Sequence, residues 1–158
     1  MLAGCIDVRK SDLEDDRDGI DYIATLRRGA EVFIDHKARD RGCSKFWKRG
    51  EPELALEKWS VMPSQSCIHG RTGWTLDEAK RTHYTLHTFF PEDSPKAYLL
   101  PFQLLRVTFR RHIDQWWARF HHAPQPNNGY TSECLFVPAS VVLDGIRQSM
   151  TCAETNPP

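Results

Sequence analysis

Three residues in this chain have types and spacing that can do chemistry together: Asp21, Asp35 and Lys37. Residues two apart on a strand share a face, so Asp35 and Lys37 point the same way. If Asp21 lies opposite Asp35 on a neighbouring strand, two acids and one ammonium converge. Two carboxylates aiming oxygen atoms at one point suit a hard divalent cation such as magnesium. A cation so held polarises phosphate and activates water. The plain alternative is an Asp–Lys salt bridge on a solvated hairpin. Directly opposed carboxylates argue against it, because they repel and a strand pair built for stability alone avoids them.

The elements that must position these groups are two β-type runs, Ile20 to Leu26 and Ala30 to Ala38, rich in Ile, Val, Phe, Tyr and Thr. Between them lie Arg27, Arg28 and Gly29. A three-residue loop ending in glycine fits a type I turn followed by a left-handed residue. That turn predicts the register: Leu26 opposite Ala30, Ala24 opposite Val32, Tyr22 opposite Ile34, and hence Asp21 opposite Asp35.

The pattern Gly19-Ile20-Asp21 on one strand and Ile34-Asp35-His36-Lys37 on the next resembles the PD-(D/E)xK nuclease superfamily. Leu54 to Val61 (LALEKWSV) and Gly73-Trp74 resemble nuclease-like members of the group, and the likeness spans about residues 14 to 105. Two departures are that no proline precedes Asp21 and that the second acid is Asp rather than the commoner Glu. The resemblance implies an α/β fold with a mixed central sheet flanked by helices, a restriction endonuclease-like core. It also implies a magnesium or manganese cofactor, a nucleic-acid substrate, DNA in the first instance, and a phage or mobile-element setting. Asp21 and Asp35 would hold the metal, with the carbonyl of His36 as a further ligand between them, and Lys37 would assist the attacking water. Glu57 would be a third acid completing the metal sphere, set against its reading as a strand-edge residue. Glu14 or Asp18, on a short helix opened by the Ser11/Glu14 capping box, would reach the metal or simply favour the helix dipole.

Downstream of Lys37, residues Arg39 to Arg49 carry five Lys or Arg with Phe46 and Trp47 interleaved. Lys45, Lys48 and Arg49 can lie along phosphates and Trp47 can stack on a base; a solvated loop is the competing reading. The formal net charge is zero, so any grip on nucleic acid must come from such a local patch. At 158 residues, 40% hydrophobic and 27% charged, the chain fits one folded domain over residues 1–150 with a flexible tail at 151–158. Five cysteines without a C-x-x-C pair suit a reducing, cytoplasmic setting. No apolar run is long enough for a membrane span or a secretory signal.

The remaining elements follow from periodicity and punctuation. Leu54 to Val61 reads as a third strand, 63–73 as a loop, and Thr75/Glu78 as a capping box opening a short helix over 76–81. Thr82 to Phe90 and Lys96 to Leu100 read as strands. Pro101 opens the longest helix, with Phe102, Leu105, Phe109, Ile113, Trp116 and Phe120 as an apolar stripe and Arg106, Arg110 and Arg111 on the other side. His121 to Gly129 reads as a loop, Glu133 to Val137 as a last strand, and Pro138 to Met150 as a final helix, which Gly145 weakens. Cys67-x-His69 and His83-x3-His87 invite zinc, although strand context and atypical spacing speak against it. Three functions therefore stand side by side. They are a magnesium-dependent nuclease, an inactive nuclease fold acting as a protein- or nucleic-acid-binding module, and a zinc hydrolase.

Overall fold

The computed structural model describes residues 2–12, 15, 19–41, 43–91 and 94–155. They form two β-sheets and two long helices, and strands dominate. The chain divides into two compact units that are interleaved in sequence, one built from 1–46 and 79–103, the other from 47–78 and 104–158. The single central sheet expected from sequence is thus corrected to two sheets, one in each unit.

The first unit holds β1 (Cys5–Lys10), β2 (Tyr22–Leu26), β3 (Glu31–Arg41), β6 (Tyr84–Phe90) and β7 (Lys96–Pro101), ordered β1-β2-β3-β6-β7. The β2–β3 hairpin has the predicted register, with Tyr22 opposite Ile34 and Ala24 opposite Val32. Gly29 makes it possible: its φ of 77° is cheap only for glycine, and its amide donates to the Leu26 carbonyl while the Leu26 amide donates to Ala30. β3 pairs with β6 in parallel and the other neighbours are antiparallel, so this sheet is mixed. Ile20, Ile23, Ala24, Ile34, Phe89 and Leu100 supply its buried apolar side chains. Strand β1 was not foreseen; it pairs only with β2 and leaves Ile6 and Val8 exposed at the sheet's edge. In the segment expected to be a short helix, Asp12 Oδ1 accepts from the Asp15 amide; Glu14 and Asp18 lie outside the described residues.

The second unit holds β4 (Glu53–Val61), the two-residue β5 (Arg71–Thr72), β8 (His121–Asn127) and β9 (Tyr130–Pro138), ordered β5-β4-β9-β8 and antiparallel throughout. Helix α1 (Phe102–Arg119), most of which belongs to this unit, and helix α2 (Ala139–Thr155) complete it. The predicted stripe is the buried one, with Leu105, Phe109, Trp116 and Phe120 enclosed. Gly145 lets the helices approach: a methyl group there would stand 2.7 Å from Thr108 Cγ2, next to the Thr108–Ser149 hydroxyl hydrogen bond of 3.0 Å.

Three expectations are corrected in this unit. Thr75 opens no helix over 76–81, because its buried hydroxyl accepts from the Glu57 amide at 2.9 Å instead of capping a turn. Residues 121–127 form strand β8 rather than a loop. Pro124 and Pro126 cannot donate to a ladder, but β8 is the outermost strand, where that loss is tolerated. The last helix runs on to Thr155, well into the segment read as a tail, while 156–158 lie outside the described residues.

Candidate active site

Asp35 is the centre of the site. It sits on β3, where β2 flanks one side and β6 the other, and its residue is only 1% exposed. Lys37, two residues on and therefore on the same face, places Nζ 2.7 Å from Asp35 Oδ1. A second ammonium, Lys80 Nζ, stands 2.9 Å from Asp35 Oδ2. The two lysines differ in environment: the Lys37 side chain is 36% exposed and that of Lys80 only 8%. Burial alone would raise the Asp35 pKa, but the two ammonium groups outweigh it and hold the carboxyl below the ordinary range.

Asp21 precedes β2 and continues the hairpin register. Its amide donates to the Ile34 carbonyl, and its Oδ2 accepts from the His36 amide, which fastens this carboxyl across the strand from Asp35. Burial pushes the Asp21 pKa up. The His36 amide offsets part of that, and the adjacent, hydrogen-bonded Asp35 carboxyl raises it further. The acid pair is therefore asymmetric, with Asp35 held ionised and Asp21 biased toward its proton. His36 turns its ring away, with Nε2 2.7 Å from Thr88 Oγ1 and the ring 5.7 Å from that of Tyr22.

Strand β6 lines the same sheet face. Thr85 is in register with Asp35 and His87 with Lys37, and both are buried. Burial drives the His87 pKa down to about 4, so the imidazole is neutral near pH 7. His83, the other half of the suggested zinc pair, is committed elsewhere: its Nδ1 accepts from the Phe33 amide at 2.9 Å and its ring stacks on Phe33. Among the described residues, no group of three or more His, Cys, Asp or Glu is placed to hold a metal ion.

The structure thus brings Asp21, Asp35, His36 and Lys37 together in the first unit. Glu57 belongs to the second, on β4, where its Oε2 accepts from the Trp74 amide at 3.0 Å and from the Ser60 hydroxyl at 2.8 Å. Of the basic segment, Lys45 lies in a 3-10 turn (Cys43–Phe46) of the first unit and is exposed; Trp47, Lys48 and Arg49 belong to the second. There Trp47 is half-buried, Lys48 and Arg49 are exposed, and the Arg49 guanidinium lies 5.2 Å from the Phe120 ring centre. Sequence reasoning missed Lys80. Register arguments connect a strand only to its neighbours, and Lys80 comes from the segment that leads into β6.

Two carboxylates and a main-chain carbonyl are an all-oxygen donor set, which matches magnesium's habit of using one or two carboxylates and keeping several waters. The charge balance is tighter, since two ammonium groups already offset the two carboxylates. Lys37, with its partly exposed side chain, is the one that can yield. No family model matches this chain, and no curated protein or solved structure matches it.

Proposed function

We propose that this protein is a metal-dependent nuclease that hydrolyses phosphodiester bonds, DNA being the first substrate to test, with Asp21, Asp35 and Lys37 as the working residues. The observation that carries the reading is the like-charged pair: the His36 amide fastens Asp21 across the strand from Asp35, an arrangement that structure alone does not reward. Magnesium or manganese would be held by Asp21, Asp35 and the His36 carbonyl. When bound there, it would supply Lewis-acid polarisation of a phosphate oxygen and a more acidic water. Lys37, paired with Asp35 and partly exposed, can swing toward a phosphate to steady developing negative charge. Thr85 and His87, both buried, lie beside Asp35 and Lys37 on the same face of the sheet. Lys45, Trp47, Lys48 and Arg49 are proposed to contact nucleic acid, whereas Glu57, held by Trp74 and Ser60 in the other unit, is given no part in the metal site.

A second reading, a nuclease fold retained as a binding module for protein or nucleic acid, is favoured by one specific observation. The four charges of Asp21, Asp35, Lys37 and Lys80 cancel among themselves. The test compares wild type, Lys37→Ala and Asp21→Ala on single-stranded DNA, double-stranded DNA and RNA, with magnesium, manganese or a chelator. The nuclease reading expects metal-dependent cleavage by wild type and a loss of about 100-fold or more in each variant. Cleavage that survives in both variants removes the site. Absence of cleavage by any form on every substrate hands the function to the binding module.

A further inference from the structure

We infer that Lys80 is a built-in cation that fills one of two metal positions on Asp35, so that the site accepts a single divalent ion. This rests on the nuclease reading and deepens it. In two-metal phosphodiester hydrolysis, two cations about 3.5–4 Å apart clamp the attacking and leaving oxygens. One carboxylate joins such a pair by giving each of its oxygens to a different cation. Asp35 is the carboxylate placed to do this, and both of its oxygens already face positive charge, Oδ1 toward Lys37 and Oδ2 toward Lys80.

The two ammonium groups are not equivalent. Lys37 can leave Oδ1 for solvent, since its side chain is 36% exposed. Lys80 is enclosed, and moving its charge off the only described carboxylate it pairs with would strand an ion in a buried setting. A second and independent observation is how closely the Gly19 backbone lies against it. A methyl group on Gly19 would come within 2.0 Å of Lys80 Nζ and 3.1 Å of Cε. The ammonium thus lies close against the bare Gly19 backbone, and Thr82 Oγ1 ties the Lys80 segment to the Gly19 carbonyl at 3.1 Å. The Oδ2 position is shaped for an ammonium, and a dication entering there would meet one already in place.

The test is manganese titration calorimetry on the full chain, with circular dichroism as the check on folding. Wild type should bind one manganese ion. Lys80→Gln, which removes the charge and keeps a polar side chain, should bind two, and Lys80→Arg should return the count to one. Two ions on wild type, or one on a natively folded Lys80→Gln, would overturn the inference and leave the nuclease reading standing. No binding by any form would overturn both. If Lys80→Gln does not fold, the wild-type count decides alone.

Discussion

Lys80 Nζ and Asp35 Oδ2 lie 2.9 Å apart, and neither side chain is more than 8% exposed. Removing the acid leaves a buried ammonium without its partner carboxylate. Asp35→Ala should therefore cost about 3–5 kcal/mol in urea unfolding, whereas Lys37→Ala, at the partly exposed end of the cluster, should cost only about 0–1 kcal/mol. The double change Asp35→Ala/Lys80→Met should be more stable than Asp35→Ala alone, because the stranded charge goes with its partner. Equal destabilisation by Asp35→Ala and Lys37→Ala would mean that the burial difference has no energetic content.

The raised pKa of Asp21 has a definite sign in stability. A carboxyl whose folded pKa exceeds its unfolded value of 3.8 favours folding most at low pH and loses that contribution as pH rises through the folded pKa. With a chelator present, Asp21→Asn should melt above wild type at pH 7. The difference should shrink as the pH falls toward 4, while both proteins lose the Asp35 contribution below the ordinary carboxylate range. A variant that melts below wild type at pH 7 would contradict the asymmetry of the pair.

In the second unit, Gly145→Val places carbon atoms where Thr108 already stands. The expected cost is about 1–3 kcal/mol, the usual range for overpacking. Thermal melts of Gly145→Val and of the exposed control Thr151→Val separate crowding between the helices from a plain change in helix propensity.

If residues 45–49 follow a phosphate backbone, changing Lys45, Lys48 and Arg49 to Ala should weaken binding of a duplex oligonucleotide. The salt dependence should flatten by about 0.9 in log–log slope for each phosphate that is no longer neutralised. A slope identical to that of wild type assigns the segment to an ordinary loop.

What could be read in the sequence was local. The hairpin was legible because the left-handed Gly29 sets a register that carries Asp21 to Asp35 without further information. Thr75 misled because its hydroxyl serves Glu57, a residue on strand β4, and a capping-box pattern does not reveal where the hydroxyl goes. The two prolines of β8 read as loop because their tolerance depends on the strand lying at the edge, which is a property of the sheet. Lys80 was invisible for the same kind of reason, since its role depends on which face of β3 the segment before β6 crosses.

The parallel pairing of β3 with β6 has a kinetic side. The chain between them contributes β4 and β5 to the other sheet, so β3 cannot gain its β6 neighbour until that whole stretch has been made. Pairings so distant in sequence bear their closure entropy before they return any stabilisation, which slows the step that forms them. On the ribosome, β1, β2 and β3 emerge with Asp35 still lacking its buried partner, which must wait for Lys80 to arrive. The two acids therefore meet before the residue that buries one of them has been made.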